Sequence, residues 1–378
     1  MLTSFVIATL LGSTAPAPIA SATTYATPAC SEAPPDADVC RLGVSRDEAE
    51  ARRALGERST VWIADGDRFV VFARRPGDRV LLCCATSAPM DRIGQTDLWS
   101  VTLKVRDLDR AVIDVLVNQD PANTPLPQYR GPRAAPDPAM AETLSGGVTD
   151  EFIDSPAAGE RRKLSIYTPP GFDPARRYPV VYMPDGQVLE GYGRMLDPLI
   201  LAGKVRPVVL VGLWPNQGAA DVNWRRLEWV VGADPARFAR VEAFFINEVI
   251  PLAERKYGAS ARPEDRMLWG TSAGAAWALS MSGRHPRTFG HVAALSCGSG
   301  PAAEEGSGPG GPRLFLAAGR FEAEYLRVAR DAAARARGAG REVELREAVG
   351  GHSFLTWRPL MTEALAWAFG TPNGSDGL

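Results

Sequence analysis

From about residue 145 to residue 369, short apolar runs alternate with segments of helical periodicity, and this alternation limits the possible folds most. The apolar runs are 162–168, 178–183, 208–213, 267–269, 292–295 and 314–318, followed by an alternating stretch over 343–347. Helical patterns occupy 235–257, 273–282, 322–337 and 356–369. Strands separated by helices cannot pair through tight turns. They form βαβ units with right-handed crossovers, and their parallel strands are buried on both faces. The expectation is an α/β fold: a mainly parallel sheet with helices on both faces.

The earlier part of the chain reads differently. Residues 61–63, 68–73, 79–84, 98–105 and 111–117 are rich in β-branched and aromatic side chains, with polar and glycine-containing turns between them. Closely spaced strands without intervening helices predict a small antiparallel β-sandwich of Ig-like type. A short helix over 46–55 precedes it. The chain of 378 residues is long enough for about two domains. The partition is a sandwich over 41–120, a proline-rich linker over 121–145, an α/β domain over 146–370 and a flexible tail over 371–378.

Residues 1–22 read as an export signal. A short apolar run from Phe5 to Leu11 is followed by small residues, and Ala20-Ser21-Ala22 fits a small-x-small cleavage site. The run is too short for a stable membrane span. Residues 23–40 then carry Cys30 and Cys40 around a short loop, a plausible disulfide in an oxidising compartment. Cys83 and Cys84 lie in a strand-like run and should face opposite sides of it, at least one as a small core residue. No cysteine or histidine spacing fits a metal site, and no cofactor is implied. A net charge of −2 without a basic run argues against nucleic acid as a partner.

Gly270-Thr271-Ser272-Ala273-Gly274 matches G-x-S-x-G between a strand candidate and a helix candidate. A strand-to-helix elbow of this kind exposes the serine hydroxyl at the carboxyl edge of the sheet, and its glycines allow backbone segments to approach. Ser272 is the candidate nucleophile of an α/β-hydrolase, with a small-molecule ester as its substrate. The chain has three histidines: His285, His291 and His352. His285 follows the elbow helix in a helix-stop sequence and His291 opens the next strand; both read as surface or capping residues. His352, in Gly350-Gly351-His352 after the last strand, occupies the place of the general base. The acid should follow strand 314–318. Glu322 is the first carboxylate there, with Glu324 and Asp331 as alternatives. An oxyanion hole would pair the N–H of Ala273 with that of Gly186 or Gln187, in the Pro184-Asp185-Gly186-Gln187 loop. Asp185 reads as a support for that loop.

These residues resemble the putative-esterase family, which includes enterochelin (trilactone siderophore) esterases, feruloyl esterases and mycolyltransferases. The carriers are Tyr167 to Phe172, Tyr178 to Gln187, Arg225-Arg226-Leu227-Glu228-Trp229, the elbow, His285-Pro286 with Phe289-Gly290, and Gly350-Gly351-His352 with Trp357-Arg358. Within the family the enterochelin-esterase branch is similar in two further places. Gly319 to Glu322 resembles its acid segment, and Met90 with Gly94 to Trp99 resembles a segment of its N-terminal sandwich. The resemblance implies hydrolysis of a catecholate trilactone, such as a ferric siderophore, through an acyl-enzyme. Arg225, Arg226, Trp224, Trp357 and Arg358 are the expected substrate contacts, because arginine pairs with anions and stacks on rings. Two alternatives keep the fold: a feruloyl or acetyl esterase of polysaccharide, and an acyltransferase or non-catalytic binding protein.

Overall fold

A computed structural model of the protein describes residues 26–83, 86–118, 128–298 and 300–372. The predicted export signal, Cys84 and most of the predicted tail lie outside the described residues.

The N-terminal unit is built from short antiparallel strands: β1 (Val39–Leu42), β2 (Thr60–Asp65), β3 (Arg68–Arg74), β4 (Leu81–Cys83), β5 (Ala88–Pro89), β6 (Asp91–Arg92), β7 (Leu98–Val105), β8 (Val112–Asp114), β9 (Leu116–Val117) and β10 (Gln128–Arg130). One sheet has the order β1-β7-β3-β2, with β6 also on β7; β5-β4-β9 and the pair β10-β8 complete the unit. The hairpin between β2 and β3 turns on Gly66, whose φ of 58° suits the two-residue connection. The sheets close over Phe69, Val71, Trp99, Val101, Leu103, Ile113 and Tyr129. Helix α1 (Glu48–Leu55) packs Ala51 and Leu55 against Phe72 and Leu98. Its N-cap Asp47 accepts the Glu50 N–H at 2.7 Å. β1 begins inside the predicted N-terminal segment and β10 inside the predicted linker, so the unit gathers strands from both flanks of 41–120. Cys30 and Cys40 are bridged. Cys83 is buried, and it too is disulfide-bonded rather than a plain core thiol.

The second unit carries one sheet of order β11-β12-β14-β13-β15-β16-β17-β18. Its strands are β11 (Gly147–Ser155), β12 (Glu160–Thr168), β13 (Val180–Pro184), β14 (Val209–Leu213), β15 (Arg266–Thr271), β16 (His291–Leu295), β17 (Arg313–Gly319) and β18 (Val343–Ala348). β11, β12 and β14 pair antiparallel, and from β14 through β13 to β18 the pairing is parallel. The helices are α2 (Leu189–Leu201), α3 (Trp224–Trp229), α4 (Pro235–Phe244), α5 (Ile250–Lys256), α6 (Ala273–Arg284), α7 (Pro301–Glu305), α8 (Ala323–Gly338) and α9 (Phe354–Phe369). One face of the sheet packs on Trp229, Phe244, Phe245 and Trp277, the other on Tyr192, Trp357, Met361 and Leu365. This is the α/β-hydrolase architecture, preceded by a small sheet domain.

Two parts of it differ from the sequence reading. The helix expected over 235–257 contains a π-helical turn, Phe245–Val249, between α4 and α5. Pro251 follows at once, and a proline offers no N–H to a regular helical ladder. His291, read as a surface or capping residue, is buried at 4% exposure between the rings of Trp367 and Phe369. Burial pushes its imidazole down to about 4.

The two units touch where the second carries its late loops. The Val112 N–H of β8 donates to the Val349 carbonyl at 3.0 Å. Phe321, from the loop after β17, is a member of the sandwich core. Arg320 beside it pairs with Asp38 and, at 2.8 Å, with Asp107.

Candidate active site

The elbow forms where β15 runs into α6. Ser272 has φ 56° and ψ −122°, a conformation a non-glycine residue rarely adopts, and its N–H is held by the Leu295 carbonyl at 2.9 Å. The flanking glycines are sterically required. A Cβ on Gly270 would lie 2.0 Å from the Gly274 carbonyl oxygen, and one on Gly274 would lie 2.7 Å from the Pro184 ring. The turn therefore closes only without side chains there, and closing it lifts the serine hydroxyl off the sheet edge.

His352 Nε2 stands 2.9 Å from Ser272 Oγ, and His352 Nδ1 stands 2.6 Å from Glu322 Oε2. The arrangement suits one tautomer: Nδ1–H donates to the carboxylate, and Nε2 accepts the serine proton. Glu322 is the residue before α8 and is buried at 7% exposure. Its Oε1 accepts the Gly319 N–H at 2.6 Å and the Ser296 hydroxyl at 2.5 Å. Of the three acids weighed from sequence, Glu322 is the one that reaches the imidazole. Glu324 and Asp331 are both taken up by Arg327 on α8. His285 pairs with Glu242 and does not approach Ser272.

The loop after β13 supplies the facing wall. Asp185 has φ 61° and accepts two hydrogen bonds from Arg225, at 2.6 and 2.7 Å, and one from the Trp229 indole at 3.3 Å. Gly186 passes so close to β14 that a Cβ would meet the Gly212 carbonyl oxygen at 2.5 Å. The turn closes with the Val188 N–H on the Asp185 carbonyl, which leaves the N–H groups of Gly186 and Gln187 outside that bond. Ala273 opens α6, where the first N–H groups have no intrahelical partner. The N–H groups of Ala273 and of Gly186 or Gln187 are the donors expected from sequence for an oxyanion hole.

These parts surround a cavity of about 310 Å³ lined by Ser272, His352, Gln187, Val188, Arg225 and an aromatic group of Tyr192, Trp269, Phe354 and Trp357. Burial pushes the Tyr192 phenol well above its ordinary value. Burial likewise pushes the Cys297 thiol up to about 12, which removes it as a competing nucleophile. A second cavity, of about 480 Å³, meets the other side of His352 between α8 and the N-terminal segment, with Tyr325 against the imidazole.

The predicted substrate contacts divide. Arg225 lines the cavity, but its guanidinium is committed to Asp185. Arg226 is exposed and lines neither cavity at His352, because consecutive residues of α3 point in different directions. Trp224 donates to the Ala219 carbonyl and lies under the guanidinium of Arg237, away from the serine. Arg358 turns toward the interdomain stretch and pairs with Asp137 at 3.3 Å. Trp357 reaches the cavity, yet its indole N–H is spent on Ser296 at 2.9 Å. Sequence reasoning missed Ser296, whose complete burial and positive φ of 53° are invisible without coordinates. Glu228, quoted above only as part of the resemblance, is fully buried and bound by Arg162 at 2.7 and 2.8 Å, and with the Asn216 N–H it fixes the loop leading to α3. Among the described residues no group of histidine, cysteine and carboxylate side chains is placed to hold a metal ion.

Residues 155–305 match the family profile described as "Putative esterase". The match contains Ser272 but ends before Glu322 and His352, which stand on geometry. Among solved structures, the enterochelin esterase of Shigella flexneri is similar with a TM-score of 0.62 and 20% identity, covering 85% of this chain and 97% of that one. A structure of the Shigella flexneri enterobactin esterase in the presence of enterobactin gives 0.62 and 19%, covering 86% and 99%. A ferulic acid esterase gives 0.51 and 20%, covering 60% of this chain and 99% of that one. At such identity the likeness speaks for the fold, and in the first two cases it extends over most of both chains. Over residues 155–305 the chain is similar to the putative esterase family, and the activity class this match supports is that of a carboxylic ester hydrolase.

Proposed function

We propose that this chain hydrolyses a catecholate trilactone of siderophore type, with Ser272 as nucleophile, His352 as base and Glu322 as its acid partner. The observation that carries the chemistry is the unbroken hydrogen-bond line from Ser272 through His352 to Glu322, opening into an aromatic-walled cavity. His352 Nε2 takes the hydroxyl proton as Ser272 Oγ attacks the ester carbonyl. The oxyanion is held by the N–H of Ala273 and by that of Gly186 or Gln187. Collapse expels the alcohol, which receives the proton from His352, and an acyl-enzyme remains. Water, deprotonated by the same nitrogen, then releases the acid.

The trilactone assignment is supported by the aromatic wall, on which the amide-linked catechol ring of such a substrate can stack, and by likeness to enterochelin esterases across both units. It no longer draws on free arginines. Arg225 and Arg358 are held in ion pairs and Arg226 lies off the cavity, so ring contact carries the recognition. A feruloyl ester is the second reading, favoured by a serine-side cavity that suits one aromatic acyl group. Export belongs to the same proposal and is supported by the Cys30–Cys40 bridge, which persists best under oxidising conditions.

Purified protein incubated with iron-free and ferric catecholate trilactone, and separately with feruloylated xylan, decides the substrate. Hydrolysis of a trilactone, abolished by Ser272→Ala, is expected. Preference for feruloylated xylan would move the assignment to the second reading. A chain that neither cleaves an activated aryl ester nor reacts with a fluorophosphonate is a binding protein.

A further inference from the structure

The acid of the site does not stand alone behind the histidine. Glu322 has two oxygens, and only Oε2 faces His352. Oε1 accepts from the Gly319 N–H and from the hydroxyl of Ser296, a fully buried residue at the end of β16. That hydroxyl has one proton and two lone pairs. The indole N–H of Trp357, on α9, is a donor with no acceptor capacity, and it points at Ser296 Oγ from 2.9 Å. It can only occupy a lone pair, so the serine proton is left to face Glu322. The direction of the whole line is thereby fixed: Trp357 donates to Ser296, Ser296 to Glu322, and His352 to the other oxygen of Glu322. The same indole ring packs edge-on to the imidazole, 4.9 Å between centroids. Ser296 is held for this task in a conformation serine rarely takes, with φ 53° and its N–H on the Ala317 carbonyl at 2.7 Å.

We infer that Ser296 and Trp357 are positioning residues of the hydrolytic reaction: Trp357 orients the Ser296 hydroxyl, and that hydroxyl locks the Glu322 carboxylate with Oε2 aimed at His352. The inference rests on the Ser272–His352–Glu322 reading and adds a relay that reaches from the acid to α9. Neither residue touches the reacting atoms through this relay. Through this relay their effect falls on the activation of Ser272, while the Trp357 ring, kept in the phenylalanine variant, also walls the cavity.

The test measures kcat and KM separately on an activated aryl ester, with the rate of fluorophosphonate labelling of Ser272 as a substrate-independent readout. Ser296→Ala is expected to lower kcat and the labelling rate about 10- to 100-fold, the range for losing one hydrogen bond to a charged group, with KM within about twofold. Ser296→Gly removes the same hydroxyl while suiting the positive φ, and should match the alanine variant, so a folding defect in one does not decide the question. Trp357→Phe keeps a ring and loses the N–H, and a smaller fall in kcat is expected. The deciding measurement is the double variant. In the Ser296→Ala background, Trp357→Phe should cost no further kcat, because the indole acts through the hydroxyl. A kcat within twofold of the parent in Ser296→Gly would overturn the inference, as would losses that multiply in the double variant. Either result would leave the Ser272→Ala test of the nucleophile standing, so the two readings fail separately.

Discussion

Ser272 and the two glycines around it form one steric unit. Gly270 lets the carbonyl of Gly274 come within a distance no Cβ could share, and Gly274 in turn lies against Pro184 at the mouth of the facing loop. Gly274→Ala should therefore push the elbow and the loop after β13 apart. A displacement near 1 Å is enough to cost about 10²-fold in rate. The expected outcome is a fall in kcat of about that size, with the fold retained; activity assays beside a thermal melt check it. The elbow was fully legible in the sequence, because its requirement is local: small residues at fixed spacing between a strand and a helix. The meeting of Glu322 and His352 with Ser272 was legible from the chain order expected of a nucleophile, an acid and a base in this fold. The arginines were not. Whether a guanidinium faces a substrate or a neighbouring carboxylate is decided by residues far away, Asp185 for Arg225 and Asp137 for Arg358, and no local pattern records that choice.

At the scale of elements, the strands of the central sheet follow their apolar runs closely, since parallel strands buried on both faces must be apolar throughout. β11 escaped notice because it is an edge strand with mostly exposed, polar side chains. α2 escaped because Gly191, Gly193 and Pro198 interrupt its helical signal. Gly193 is kept small by the Tyr167 ring, 2.7 Å from where a Cβ would sit. The loops that carry Glu322 and His352 are also elements, and the sandwich holds both. Val112 bonds the base loop, and Phe321 leaves the acid loop to enter the sandwich core while its N–H meets the Gly350 carbonyl at 2.9 Å. Phe321→Ala removes a buried ring beside Glu322, and losses of about 3–5 kcal/mol are typical of such truncations. Urea unfolding should show a stability loss in that range together with reduced kcat. A stable variant with full activity would mean that the sandwich does not brace the loop.

For the whole molecule, pH acts through buried groups with shifted titration. His291 is kept neutral by burial, down to about 4. Its unfolded form protonates near 6.5, so as pH falls from about 6.5 to 4 the unfolded chain binds a proton that the native state refuses, and stability declines. Burial pushes Glu160 up, but hydrogen bonds from Arg237, Asn216 and Arg162 outweigh it and hold the carboxyl at about 2. Glu242, also opposed by burial, is held at about 2 by His285 and Arg284. The stability these carboxylates contribute is present above about 4.5 and is lost as pH falls toward 2. Urea midpoints should therefore fall in two successive windows, first between about 6.5 and 4 and then below 4.5. The His291→Phe variant should flatten only the first.

Arg320 reaches back 282 positions to Asp38. A chain made from its amino end must therefore finish its first domain late. The sandwich strands are complete by residue 130, yet Phe321, a member of their core, is added only after nearly two hundred further residues have been made. Until then the ring that Phe321 contributes to that core is missing. The same side chain that completes the first domain brings Glu322 beside it. The ring that enters the sandwich core and the carboxylate that meets His352 are thus neighbours in the chain, placed by one turn after β17.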